Sequence, residues 1–392
     1  MEVLEAIRKR RTVRVPFTGE KVPEDIISML MDVSNISPSG DPISWRLARV
    51  DDAVVKAGLA RIVKEDFGDY FQKDGERFRR VFSEYPKWLR FSAEAQDGIR
   101  LGSFPKAARY FYSIALGRRF GPLFGKLGVM NAEIKSYCRN IMSNPVLFGV
   151  FLDRRVNSTA ITPILNTGSM LQNLRLAATS LGLCYQDLGW ITATKTASDK
   201  ARKLLGMLEN YVAVNFFRIG YTDGLERESK RSDFRRNLKD IVHVGQFGGN
   251  KYHAQPIKKT DIQLLDAIRG QGAKRDSQPV LEDDMSYILE AARWAPTGFN
   301  VQPFEFIVTE RDGVAAIVVL ENRERRDPDP GPCEALARGG VLQNIRLAAR
   351  ACGLIVEIKN LIAIDKENVR EEFCIPKQYT IVTSIKVKGG SK

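Results

Sequence analysis

The sequence predicts an α+β protein in which one helix-and-strand unit occurs twice along a single chain. Three pairs of segments carry that expectation. A turn with Pro, a hydroxyl residue and Gly, leading through an aromatic residue into an apolar strand, occurs at Ser37–Val50 and again at Ala295–Val308, 258 residues later. The helical run Val3-Leu-Glu-Ala-Ile-Arg8 returns as Leu264-Leu-Asp-Ala-Ile-Arg269, an offset of 261. Gly168-Ser-Met-Leu-Gln-Asn-Leu-Arg-Leu-Ala-Ala178 returns as Gly339-Gly-Val-Leu-Gln-Asn-Ile-Arg-Leu-Ala-Ala349, 171 residues on. Order is kept while the spacing falls from 258 to 171, so the first copy holds 87 extra residues. The expected organisation is a first repeat at 1–240 with a helical insertion at about 51–140, a linker or crossover arm at 241–262, and a shorter second repeat at 263–392.

Composition narrows the function classes. The chain has 392 residues, 44% hydrophobic and 27% charged, as an ordinary globular protein does. A net charge of +13 invites anionic partners. The basic residues are spread along the whole chain, however, and no nucleic-acid-binding motif accompanies them, so no nucleic acid partner is expected. Five cysteines without a Cys-x-x-Cys pair argue for reduced thiols and a cytoplasmic location. Only His243 and His253 are present, which argues against a histidine-rich metal site or a histidine-based triad. No apolar run approaches the ~20 residues that span a bilayer.

Residues 2–11 read as a short helix leading into Arg10-Arg-Thr-Val-Arg14. Those guanidinium forks suit a phosphate, and a solvated helix end fits the same residues. Residues 23–36 read as an amphipathic helix opened by Pro23. In the insertion, the Phe-rich basic stretch 104–140 packs on the core as a lid or presents a surface for anionic lipid. Asn144–Asp153 and Tyr211–Gly220 read as strands, Leu171–Leu183 as a helix, and Tyr379–Lys388 as the last strand.

Taken in order, these motifs resemble the FMN-dependent nitroreductase family. The carriers are the Arg10–Arg14 segment, the turn Ala295-Pro-Thr-Gly-Phe-Asn-Val-Gln-Pro-Phe304, and the Leu-Gln-Asn helix with its following Gly-Leu. The resemblance implies two nitroreductase-like repeats, each a mixed, mainly antiparallel sheet flanked by helices, packed as an intramolecular pseudo-dimer and working as a monomer. Family sites are built from both subunits, and here the two copies are complementary. Copy one keeps Arg10, Arg11, Thr12 and Arg14, whereas copy two keeps Pro296, Thr297, Gly298, Asn300 and Gln302. The opposite combination has decayed to Gln271, Gly272 and Ala273, facing a first-copy turn without Asn or Gln-Pro. One competent flavin site is therefore expected.

In that site the resemblance gives Arg10, Arg11 and Thr12 to the phosphate, and Arg14 to the flavin N1 edge, where reduced flavin gathers negative charge. A backbone N–H in Gln186, Asp187, Leu188 or Gly189 would meet N5. The family's usual Pro is absent there, which leaves the donor open between Leu188 and Gly189. Arg235 and Arg236 resemble a basic tail that closes the phosphate pocket, and a solvated linker fits them equally. The implied function is an oxidoreductase in which NAD(P)H reduces FMN and a small-molecule acceptor, a nitro compound or quinone, takes the electrons. The alternatives are an FMN storage or sensing protein, and a lipid or nucleic-acid binder on a vestigial fold.

Overall fold

A computed structural model describes residues 1–38, 43–67, 131–143, 145–156, 162–223, 235–273, 279–311, 313–325, 331–358 and 366–389. Most of the expected insertion, including 104–130 of its basic stretch, lies outside them, as do residues 39–42 of the first turn. The first half contains α1 (Val3–Lys9), α2 (Glu24–Asn35), β1 (Trp45–Arg49), α3 (Ala53–Ile62), α4 (Asn131–Met142), β2 (Val146–Asp153), α5 (Thr162–Ser180), β3 (Cys184–Asp187), α6 (Lys195–Leu204) and β4 (Tyr211–Gly220). Then follow α7 (Leu238–Ile241), β5 (Val242–Val244), β6 (Asn250–Lys251), α8 (Leu264–Ile268), α9 (Glu282–Arg293), β7 (Phe304–Arg311), β8 (Val314–Asn322), α10 (Gly331–Ala351), β9 (Leu354–Ile358), α11 (Lys366–Glu372) and β10 (Tyr379–Gly389).

The α+β expectation holds, with helices and two sheets. One sheet runs β1-β2-β4-β3, antiparallel throughout. The other runs β6-β5-β7-β8-β10-β9 and is antiparallel except where β5 lies parallel to β7. The segment expected as a linker thus supplies β5 and β6 to the second sheet. Strand β2 reads as an almost unbroken apolar run because both faces are covered, and the largely buried β4 interrupts its apolar run with Asn215 and Arg218.

Helices α5 and α10 pack along each other between the sheets at very close range. A Cβ added at Gly168 would lie 2.3 Å from the Leu336 carbonyl oxygen, and one at Gly339 would lie 2.1 Å from that of Leu165. Glycine is what lets the two backbones touch. Hydrogen bonds then cross in pairs, Gln172 Nε2 to Asn344 Oδ1 and Gln343 Nε2 to Asn173 Oδ1, each 2.8 Å. The onward bonds of the two asparagines go to Ala291 O and Ser37 Oγ, each 2.8 Å. Buried residues of both halves form one continuous cluster around this pair. Helix α5 starts nine residues before the expected Leu171, because burial on all sides outweighs the weak helix propensity of Gly168.

Helix α1 is also shorter than its sequence pattern. It ends at Lys9, and Arg10–Val15 runs extended beside β3, with Thr12 bridging Tyr185 and Val13 N donating to Tyr185 O at 3.1 Å. Val13 is drawn into a small apolar cluster with Phe17 and Cys184, and that burial straightens the chain. Arg218 of β4, fully buried, clamps the segment by donating to Val15 O at 2.7 Å. At the other end Glu2 pairs antiparallel with Gln263, and Leu264 N donates to Met1 O at 2.9 Å.

Candidate functional site

The extended Arg10–Arg14 segment, the arm before α7 and the C-terminal end of α9 converge on one cluster of arginines. Arg10 and Arg235 are buried, and Arg11 is half-buried. The Trp294 indole, which caps α9, lies between two of them: its ring centroid is 5.6 Å from Arg11 Cζ and 4.5 Å from Arg235 Cζ. The indole Nε1–H donates to Glu290 Oε1 at 2.9 Å. Glu290 also takes Arg8 Nε at 3.0 Å and Arg293 Nη2 at 2.9 Å. Although burial opposes ionisation, these donors hold the Glu290 carboxyl below its ordinary value.

Arg10 is the least compensated member. Its Nη1 donates to Thr12 Oγ1 at 3.2 Å, while its buried Nε has no hydrogen-bond partner among the described residues. Burial, then the like charges of Arg235, Arg175 and Arg11, push the guanidinium down to about 9. Among the described residues the opposing charge is Asp187, which is already committed. It accepts two bonds from Arg175 Nη2 at 2.9 Å, one from Asn215 Nδ2 at 2.7 Å and one from the Tyr185 hydroxyl at 3.1 Å. An enclosed set of cations with an orphaned donor fits a group carrying two negative charges, such as a phosphate ester.

The two tail arginines differ in role. Arg236 donates from Nη1 and Nη2 to Glu305 Oε1, each at 3.0 Å, and its backbone N–H donates to Gln302 Oε1 at 2.8 Å. Glu305 further accepts from the Tyr379 hydroxyl at 3.0 Å and faces His243 Nε2 at 3.3 Å. Arg236 therefore ties the arm to the turn at 296–302, and Arg235 is the one turned toward Trp294.

That turn is tightly wound. Thr297 Oγ1 accepts from Gln302 N at 3.2 Å, and Asn300 N donates to Thr297 O at 3.1 Å. Asn300 and Gln302 both adopt left-handed backbone, at φ 53° and 49°. Two such residues within three positions form a strained loop of the kind that concentrates at binding sites. Pro296 packs toward α10, 3.8 Å from where a Cβ on Gly340 would lie.

On the opposite side, Gln186 accepts from Arg218 Nε at 2.7 Å. The Leu188 N–H is used by Phe216 O at 2.6 Å, and the Trp190 N–H by the Tyr137 hydroxyl at 3.0 Å. Gly189 lies between them with no hydrogen bond to its N–H among the described residues. It faces the start of α10, where Cys333 Sγ is 3.5 Å from its Cβ position. Tyr137 of α4 stacks on Trp190 at 4.5 Å, so the described end of the insertion covers this loop. Arg14 is exposed, and its carbonyl accepts from Asn140 Nδ2 at 3.2 Å.

The structure thus joins Arg10, Arg11, Thr12 and Arg235 in one cluster, with Arg236 linking it to Gln302, Asn300 and Thr297. Sequence reasoning missed Arg175, Glu290, Trp294 and Glu305. Trp294 sits directly before the turn motif and was within reach, whereas the others signal themselves only through partners distant in the chain.

The model of the nitroreductase family matches residues 7–221 and 275–317. The chain belongs to the nitroreductase family. Membership makes this chain an oxidoreductase enzyme, as the motif order implied. No curated protein matches it. Among solved structures it is similar to an FMN and NADPH-dependent nitroreductase from Sphigopyxis sp., at 16% identity and TM-score 0.39, covering 62% of this chain and 97% of that one. An FMN-dependent nitroreductase from Clostridium difficile gives 14% and 0.33, covering 56% and 86%. An NADPH:FMN oxidoreductase from Vibrio harveyi gives 13% and 0.36, covering 65% and 79%. Among the described residues no helix is long and apolar enough to cross a membrane, and no group of His, Cys, Asp and Glu has the makings of a metal site.

Proposed function

We propose that this nitroreductase binds one FMN between its halves and uses NAD(P)H to reduce a small acceptor, a nitro compound or a quinone. The observation that carries the reading is Arg10, buried beside the like charges of Arg235, Arg175 and Arg11, while its opposing charge among the described residues, Asp187, is already spent on Arg175, Asn215 and Tyr185. Arg10, Arg11 and Arg235 would hold the phosphate, with Thr12 keeping Arg10 in place. The Pro296–Gln302 turn would pass along the ribityl chain and ring edge, where Asn300 offers both a donor and an acceptor. The N–H of Gly189, without a hydrogen bond among the described residues, would donate to the ring's reactive edge in preference to the committed one of Leu188. Bound flavin supplies hydride and electron transfer, so no side-chain nucleophile is called for. The protein's work is to orient, to neutralise charge and to exclude water, and the Tyr137–Trp190 stack serves the last of these.

The paired-halves reading, with domains at 1–240 and 263–392 joined by the 241–262 arm, is supported by reciprocity. Under the 171-residue offset, Gln172–Asn344 and Gln343–Asn173 are the same contact with the helices exchanged, and so are Gly168–Leu336 and Gly339–Leu165. The strand orders β1-β2-β4-β3 and β7-β8-β10-β9 also correspond. Such mutual contacts are the signature of a two-fold interface. None of the five cysteines is joined in a disulfide, which supports a cytoplasmic location.

The test is the absorbance of the purified chain and a fluorescence titration of flavin-free protein with FMN. One FMN per chain, bleached by NAD(P)H and restored by a quinone, is expected. A protein that takes up no flavin, or takes up two, sinks the single-site reading, and a yellow protein that NAD(P)H never bleaches points to storage instead.

A further inference from the structure

In the first half Arg175 is satisfied by a two-pronged pair with Asp187. Its counterpart under the 171-residue offset is Arg346, and the position equivalent to Asp187 is Ile358. The cation has been kept and its acid replaced by a hydrocarbon. Among the described residues Arg346 makes a single hydrogen bond, from Nη1 to Ser169 Oγ at 3.5 Å. The Ser169 hydroxyl donates onward to Gly339 O at 3.0 Å, so a lone pair, not its proton, faces the guanidinium.

Burial, then the like charge of Arg350 one helical turn away, pushes Arg346 down to about 10. Yet the side chain keeps part of its surface open to water. The group is thus deeply surrounded and still reached by water. Among the described residues Arg350 makes one hydrogen bond, donating to Ala267 O at 2.6 Å.

A whole flavin nucleotide does not suit this position. The positions matching Arg10, Arg11 and Thr12 are Gln271, Gly272 and Ala273. Gly272 lies so close to Arg350 that a Cβ there would be 2.8 Å from its carbonyl oxygen and 2.8 Å from its Cγ. The phosphate-binding forks are gone and their backbone has closed in. What persists is one under-compensated guanidinium with a second cation beside it.

We propose that the second half retains a binding site for a small oxyanion, a phosphate or carboxylate, seated on Arg346 and flanked by Arg350. The comparison with Arg175 rests on the paired-halves reading, whereas the lone Ser169 contact and the buried charge stand without it. An anion there completes the pairing that Asp187 provides in the first half, and ties α10 to the end of α8.

The experiment uses the full chain loaded with FMN, so that the first cluster is occupied. Its thermal unfolding is followed while inorganic phosphate, sodium acetate or sodium chloride is added at matched ionic strength. The expected result is a saturable rise of about 2 °C with phosphate or acetate beyond that given by chloride. The arm that saturates first identifies the anion class. Arg346→Met should remove the rise and increase the anion-free Tm, because a buried unpaired charge has been deleted. Equal effects of all three salts, or an anion-specific rise that survives Arg346→Met, would overturn the site. Should the variant not fold, calorimetric titration of phosphate and acetate into the FMN-loaded wild type decides: saturable heat supports the site, and its absence for both refutes it. The flavin absorbance of the same samples reports independently on the proposed function.

Discussion

Replacing Arg10 by Met should make the flavin-free protein more stable while weakening its affinity for FMN. Burial, aided by Arg235, Arg175 and Arg11, lowers Arg10 well below its ordinary value, to about 9. At ~1.4 kcal/mol per tenfold, keeping it charged in the folded state costs on the order of 5 kcal/mol. At ~2.1 cal/mol/K per residue, unfolding this chain carries roughly 0.8 kcal/mol/K of entropy, so full relief raises Tm by at most about 6 °C. The sign follows from a base whose folded value is depressed. The penalty is complete below pH 9, where both states are charged, and fades as pH climbs from there toward the guanidinium's ordinary value. The flavin-free variant and wild type should therefore differ most at neutral pH and draw together above pH 9. With FMN the gap narrows, since a charged hydrogen bond contributes ~1.5–3 kcal/mol and its loss weakens binding by roughly ten- to a hundredfold. Scanning calorimetry with and without FMN, and flavin fluorescence titration, read both effects. A flavin-free variant less stable than wild type, or FMN affinity within twofold of it, refutes the reasoning.

Three further outcomes follow from other parts of the structure. Glu305→Gln strips the charge from a buried carboxyl that holds Arg236 and faces His243, and should cost about 3–5 kcal/mol, or a drop of roughly 4–6 °C in Tm; a change under about 1 °C contradicts the anchoring role. Gly339→Ala places a Cβ 2.1 Å from the Leu165 carbonyl, which backbone cannot yield cheaply, so the variant should lose its cooperative unfolding transition, and a wild-type Tm would show that the α5–α10 spacing is not fixed there. Glu321 of β8, paired with Arg338 near Glu334, is pushed up to about 7 by burial, so the stability it lends is complete below pH 4.5 and is lost as pH rises toward 7. Glu321→Gln should flatten the dependence of the urea midpoint over that window, and an unaltered slope counts against the assignment.

Local chemistry made the elements legible. The apolar runs at 146–153, 211–220 and 379–389 are strands because they have the length and composition of strands, and Pro23 opens α2 because the first helical turn tolerates it. The order of short motifs was sufficient to suggest the family, and Arg10, Arg11 and Arg235 stood out in the sequence by charge alone. Where α1 stops is a different matter. Its pattern runs to residue 11, but Val13 gains more by packing on Phe17 and Cys184 than the helix gains from another turn.

What the sequence by itself determined was the fold class, the strand and helix composition and the presence of a basic segment and a Pro-Thr-Gly-x-Asn turn, because each depends on residues near one another in the chain. Tertiary structure decided which arginines are neutralised. Arg236 is held by Glu305, 69 residues away, and Arg8 by Glu290, 282 residues away, while Arg10 is left with an orphaned nitrogen. A charge is balanced or unbalanced only by what surrounds it, and that depends on distances in space which chain order does not record.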